Sequence, residues 1–266
     1  MFILLLKKEL ILKSKWEIKQ EIILLDSDRK KYWEHTHAVE NYETVWSLTD
    51  DIEVREKIID ALSSYEDISK ILIPGCGSKV LLQNEIADRF PKSLIVCSDY
   101  QGVIDIAKKK ESRENIGYMA LDSTNLGFEN EWDVVIIVNS ILSESHIENR
   151  DILKSCYRAL KQDGVLLGFF PTIFASVDIA YLESEENMSL SIDLTKSSFY
   201  EKKQKIWQIF YTPLRLRYLL KEVNFIRDKM EIFFCDSEYF TAHSKEYYGI
   251  EDVDLPVYEL FVIAYK

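Results

Sequence analysis

The residues of this chain that could do chemistry recur at one kind of place, just past an apolar run that suits a strand. The first group is Gly75-Cys76-Gly77, after "ILIP" at 71–74. The chain holds only 8 glycines in 266 residues, and two of them stand here two positions apart. Glycine lets the backbone turn sharply and lets another group lie close to the peptide units. The helix expected next adds free N–H groups at its start. A tight turn without a ligand accounts for the same pair, since one Gly-x-Gly is a weak signal. The second group is Asp99, about 24 residues beyond Gly75, near the spacing at which an acid meets a ribose edge. A carboxylate there can accept from both ribose hydroxyls. Its plainer role is to cap a helix starting at Tyr100 or Gln101. The third is "LDSTNL": Asp122 can accept from an exocyclic amine, and Ser123 offers its N–H to a ring nitrogen. Alone, it is an Asx-type turn. The fourth is Asn139-Ser140, with Glu144 and His146 soon after. Each is an ordinary loop or capping residue alone; all four groups in this order are harder to assign to turns.

The elements that must position them alternate. "ILIP", "SLIVCSD", "IGYMALD", "WDVVIIVNS" and "VLLGFFP" read as strands. The fourth shows no polar alternation, as expected of a strand buried on both faces. "KVLLQNEIADRF", "YQGVIDIAKKKE" and "HIENRDILKSCYRALKQDG" read as helices, the last ending at Gly164 as its C′ glycine. Such alternation predicts a parallel α/β sheet with helices on both faces, and ligands then bind beyond the carboxyl ends of the strands. Before the sheet, residues 1–66 form a mainly helical block, with Asp50 or Asp51 as cap for the helix in "DDIEVREKIIDALSSY". After the fifth strand the alternation breaks over about 171–211, first helical, then extended and aromatic. "TPLRLRYLLKEVNF" is a helix with Thr212 as N-cap and Pro213 at N1. "DKMEIFFCDSEYF" and "PVYELFVIAYK" are the last two strand candidates.

Composition narrows the class. A 47% hydrophobic content suffices for one substantial core. The net charge of -12 and pI near 5.0 repel phosphate backbones and so disfavour nucleic acid as a partner. Cys76, Cys97, Cys156 and Cys235 show no CxxC or zinc spacing, which predicts reduced, packed thiols and no metal. The apolar run at residues 2–6 ends in Lys7-Lys8, too short for a leader or a membrane span. The expectation is a cytoplasmic protein that does not enter membranes. That segment is expected to pack on the domain or on a partner chain, and a homodimer is one way to supply the latter.

The order of these groups resembles the class I S-adenosylmethionine-dependent methyltransferases. The matching pieces are "ILIPGCGSK", "LIVCSDYQ", "MALDSTNL", "WDVVIIVNSIL" and "LKSCYRALKQDGVLLGFF". The resemblance implies a Rossmann-like α/β fold with a seven-stranded, mostly parallel sheet of order 3-2-1-4-5-7-6. The domain would span 67–266, with a lid inserted at about 171–211 and residues 1–66 as a cap. It implies S-adenosyl-L-methionine as cofactor and S-adenosyl-L-homocysteine as product. Gly75 and Gly77, with Pro74 and Cys76 of the same loop, would contact the methionine part. Asp99 would bind the ribose, and Asp122 the adenine amine, with Tyr100 and Ser123 flanking the ring. Asn139 would lie beneath the amino-acid end and face the substrate. The family often has an acid two before the first glycine; here Ile73-Pro74 fills that stretch, and Lys79 or a neighbour replaces the third glycine.

Methyl transfer from a sulfonium is mostly a matter of alignment, so a dedicated base is optional. No Asn-Pro-Pro-aromatic motif follows the fourth strand; "NSIL" stands there. Aromatic residues crowd the cap and the lid. Tyr32, Trp33, Phe174, Tyr181, Trp207 and Tyr211 suit a flat or cationic small-molecule acceptor, and equally suit the lid's own core. His37 and His146 are the candidate bases, since imidazole titrates near neutral pH; surface or capping histidines are the competing reading. The resulting expectation is methyl transfer to a small molecule of specialised metabolism. Transfer to a protein side chain and a degenerate, partner-binding subunit are the rivals.

Overall fold

A computed structural model describes residues 31, 47–111, 113–183, 191–201, 206–238, 241–242 and 257–266. Tyr32, Trp33 and His37, and most of the 1–66 cap, lie outside the described residues. The chain enters through a 3-10 turn, Leu48–Asp50, and helix α1, Ile52–Ser63. Asp51 caps α1: its Oδ1 accepts from the Glu53 and Val54 N–H groups at 2.7 and 3.4 Å. Asp50 instead forms an ion pair with Lys79.

The expected alternation follows. Strands β1 (Lys70–Pro74), β2 (Leu94–Asp99), β3 (Ile116–Ala120), β4 (Trp132–Val138) and β5 (Leu160–Pro171) are parallel. Helices α2 (Leu81–Arg89), α3 (Gln101–Lys110) and α4 (His146–Ala159) connect the strands, and α5 (Ile173–Glu183) follows the fifth. Three short strands, β6 (Ile192–Asp193), β7 (Ser198–Glu201) and β8 (Ile206–Ile209), pair antiparallel as a separate small sheet. Helix α6 (Pro213–Glu222) then leads into β9 (Arg227–Cys235) and β10 (Val257–Tyr265). Thr212 caps α6 through its side chain, with Pro213 in the first turn.

The large sheet has the order β3-β2-β1-β4-β5-β10-β9. Counted among its own seven strands, this is the expected 3-2-1-4-5-7-6, and the final strand runs antiparallel between its neighbours. Alternate residues of each central strand feed two cores. Leu72, Val135, Ile137 and Leu166 face the side of α4 and α6, where Leu153, Cys156, Leu216 and Leu220 pack. Ile71, Ile73, Val134, Ile136 and Phe169 face the side of α1 and α2, where Ile58, Leu62, Leu82 and Ile86 pack. Double-sided burial explains why these strands carry no polar alternation.

One boundary departs from expectation. Helix α4 ends at Ala159, and Gly164 lies within β5 rather than at the helix C′ position. The pairing of β4 with β5 shifts register between Trp132 and Val134, so residues 161–164 bulge out of the ladder. A Cβ on Gly164 would stand 3.0 Å from the Lys161 and Trp132 carbonyl oxygens. The open carbonyls of Tyr157 and Leu160 receive the Lys266 ammonium instead, at 2.8 and 2.7 Å. A cation from the far end of the chain thus does the capping that the sequence pattern assigned to a glycine.

Candidate active site

The groups singled out from the sequence meet along the carboxyl ends of β1, β2, β3 and β4. Gly75 and Gly77 both take left-handed backbone, at φ 65° and 68°. The group that approaches Gly75 is Ser140: a Cβ at 75 would overlap the Ser140 side chain. Ser140 Oγ also donates to the Pro74 carbonyl at 3.2 Å. The first glycine is therefore required by the close approach of the β1 and β4 loops. The second presents its N–H to Asp99, at 2.9 Å to Oδ2, and Tyr100 N–H reaches Oδ1 at 2.7 Å. Asp99 thus ties β2 to the glycine loop. Burial pushes its carboxyl up to about 6, against the pull of those two N–H groups. Each oxygen accepts one described hydrogen bond and keeps a further lone pair. That leaves acceptor capacity for a diol, so the residues present fit a ribose.

Cys76 lies beside Cys97. Their hydrogen bond and burial hold the Cys76 thiol well above its ordinary range, so it stays a neutral packing group. All four cysteines are free thiols, as expected. Among the described residues no cluster of three or more His, Cys, Asp or Glu side chains could hold a metal.

Past β3, Asp122 is exposed and caps the 3-10 turn Ser123–Asn125; its Oδ1 accepts from Thr124 N and Oγ1 at 2.8 and 2.7 Å. The Asx-turn role is therefore real, and it occupies one of the two carboxylate oxygens. Past β4, Asn139 also takes left-handed backbone, at φ 46°, unusual for a residue with a side chain. Its Nδ2 donates to Glu259 Oε1 at 3.2 Å. Glu259 is the functional candidate that the sequence reading missed. It lies in an apolar run, "PVYELFVIAYK", and only strand order brings it to Asn139.

The remaining candidates separate. Tyr211 is 1% exposed, donates its hydroxyl to the Ile141 carbonyl at 3.0 Å, and packs edge-on to Phe170. It is part of the hydrophobic core on the α4 and α6 side of the sheet. Trp207 packs on Tyr200 within the small sheet, with ring centroids 5.4 Å apart. Phe174 and Tyr181 project from α5 at 48% and 56% exposure. His146 stands on the first turn of α4 against the Arg215 guanidinium, with Nε2 2.6 Å from Nη2. Burial and the Arg215 charge hold this imidazole below its usual range. Arg215 also donates to the Lys196 carbonyl at 3.0 Å, so His146 sits where the residues after the short strand β6 meet α6. Lys79, at the place of the missing third glycine, has a visible use: its ion pair with Asp50 holds the turn before α1 against the loop.

Known proteins agree with this arrangement. A methyltransferase-domain family matches residues 72–168. The chain is 25% identical over 195 residues to a malonyl-[acyl-carrier protein] O-methyltransferase of Priestia megaterium, covering 70% of this chain and 68% of that protein. A Bacillus anthracis protein of the same name is 22% identical over 164 residues, or 60% of this chain and 56% of its own length. Among solved structures, a protein of Pyrococcus horikoshii OT3 superposes with a TM-score of 0.59 at 18% identity, over 85% of this chain and 98% of that one. An S-adenosylmethionine-dependent methyltransferase of Methanosarcina mazei gives 0.58 at 16%, over 77% and 96%. The structural likenesses establish the fold, and the matched domain supplies the reaction class. With the strand order and the loop order both in place, residues 72–168 are similar to a methyltransferase domain and sit on a Rossmann-like, seven-stranded sheet.

Proposed function

We propose that this chain binds S-adenosyl-L-methionine across the ends of β1 to β4 and transfers its methyl group to a small-molecule acceptor. The observation that carries the cofactor assignment is the Asp99 carboxylate, drawn over the glycine loop by the Gly77 N–H with lone pairs to spare. In this reading Asp99 accepts from the ribose hydroxyls, and the loop of Pro74, Gly75, Cys76 and Gly77 lines the methionine part. Asp122, through the oxygen not used in its turn, and Ser123 serve the adenine edge, with Tyr100 at the ring. Bound there, the cofactor supplies an electrophilic methyl on a sulfonium. The chain contributes alignment and a dry rim.

The small-molecule part rests on the insertion. The small sheet and α5 follow β5, where the Tyr211 N–H donates to the Pro171 carbonyl at 2.8 Å, and the Lys196 carbonyl between β6 and β7 meets His146, past β4, at 3.1 Å. Phe174, Tyr181 and Trp207 stand on this insertion, and His146 and Asn139 on the rim below it. A second reading keeps the reaction and takes an acceptor tethered to a carrier protein, as the names of the two relatives suggest.

Calorimetric titration with S-adenosylmethionine and S-adenosylhomocysteine tests the proposal. Binding at micromolar concentration is expected. A folded sample that binds neither ligand sinks it and favours a partner-binding subunit. A screen of free small molecules against acyl carrier protein conjugates separates the two acceptor readings.

A further inference from the structure

Glu259 has no task in the cofactor reading. It lies near the start of β10, opposite Pro171 of β5 and Phe233 of β9, at the carboxyl-end rim of the sheet. Its residue is 3% exposed. A buried carboxyl is costly unless its oxygens are satisfied. Here Oε1 is met by Asn139, but Glu259 Oε2 and Asn139 Oδ1 are both buried and lack a hydrogen-bond partner among the described residues. One hydrogen bond ties the two side chains, so the two open oxygens belong to one buried polar pair. Asn139 holds its place with left-handed backbone, a strain that persists where the surroundings enforce it, often at functional sites. The pair adjoins the glycine loop, because Ser140, next to Asn139, packs on Gly75. Across the sheet the order is Asp99 on β2, the glycine loop on β1, Asn139 on β4, then Glu259 on β10. The pair therefore lies on the side of the loop away from the ribose acid, the side that the reading above leaves to the acceptor.

Resting on the reading above, we propose that Asn139 and Glu259 seat a nucleophilic amine of the methyl acceptor, and that Glu259 takes the proton this amine sheds. Two open oxygens match a group with at least two N–H donors; a hydroxyl brings only one. A carboxylate acceptor, as in a malonyl group, brings no N–H for the Asn139 and Glu259 oxygens. The step balances. The amine lone pair forms the N–C bond as the methyl–sulfur bond breaks, and sulfur keeps that electron pair as a neutral thioether. The nitrogen, now cationic, releases one proton to Glu259 Oε2. Burial pushes this carboxyl up to about 8, so its ionised form is the proton acceptor and its share grows as pH rises toward 8. The groups facing it are the Asn139 amide and the Cys235 thiol of β9, which burial keeps neutral.

The test uses the full chain and two ligands in calorimetry: S-adenosylhomocysteine, and the cofactor analogue in which CH–NH₂ replaces the S–CH₃ group. Wild type should prefer the amine analogue by roughly 10-fold or more, as two charge-assisted hydrogen bonds allow. Glu259→Gln should bind S-adenosylhomocysteine like wild type and lose most of that preference. Asn139→Ala should lose the preference too. An unchanged preference in Glu259→Gln overturns the proposal. Equal weakening of both ligands also overturns it, by placing Glu259 at the cofactor's own amino group. Failure of wild type to bind S-adenosylhomocysteine at all would instead strike the cofactor reading beneath it. A transfer screen over amines, hydroxyls and carboxylates should respond to amines; transfer to carboxylates alone overturns the assignment.

Discussion

Replacing Glu259 with glutamine should make the protein more stable at alkaline pH, and the size of the gain follows from its burial. The carboxyl ionises near its ordinary 4.5 in the unfolded chain and at about 8 in the folded one. Between these values the unfolded chain has released the proton and the folded chain still holds it. Folding takes up a proton, so stability falls as pH rises through the window. The contribution is fully present below about pH 4.5 and is lost by about pH 8. At 1.36 kcal/mol per unit, the loss between pH 5 and pH 8 is on the order of a few kcal/mol. The substituted amide would keep an acceptor oxygen for Asn139 and has no charge to bury. The assay is urea unfolding of both proteins at pH 5, 6, 7 and 8. The midpoint difference should grow toward pH 8 and reach about 1 M urea, taking a slope near 3 kcal/mol per M. Asp99, also raised by burial, titrates in both proteins and cancels. Parallel midpoints across the range would mean that Glu259 ionises normally, and would refute the burial argument.

Two further outcomes are expected. Asp99→Asn should weaken S-adenosylhomocysteine binding by roughly 10-fold or more, because a charged acceptor is lost from two hydroxyl bonds. For the same reason wild-type affinity should rise as pH passes upward through about 6, where the Asp99 carboxyl ionises, and the variant should not show this rise. Gly75→Ala should destabilise the fold, since left-handed backbone costs a residue with a side chain on the order of 1–3 kcal/mol before the overlap with Ser140 is counted. Adding Ser140→Gly should return the overlap part of that loss, seen as a partial recovery of the thermal midpoint; no recovery would mean the loop has another reason for its glycine.

Much of the architecture was legible because its causes are local. Short apolar runs such as "VVIIV", rich in β-branched residues, suit strands buried on both faces, and Thr212-Pro213 announces a helix start within two residues. The order of strand ends then placed Gly75, Asp99, Asp122 and Asn139 on one rim. Local signals misled at Gly164, where a glycine after a helical stretch reads as a cap. The register shift against β4 and the Lys266 ammonium decided otherwise. Aromaticity alone did not separate Tyr211, a core residue, from Phe174 and Tyr181, which project from α5.

The sequence by itself therefore determined the fold class, the strand order that its family resemblance implies, and the acid that follows β2. Only the tertiary structure decided that Gly75 yields to Ser140, that Lys79 holds Asp50, and that Glu259 stands beside Asn139. The physical reason is range. Turn chemistry and hydrophobic period act between near neighbours in the chain, whereas Asn139 and Glu259 are 120 residues apart. They meet because β10 inserts antiparallel beside β5, and no local pattern encodes which buried carboxyl such an insertion brings to the rim.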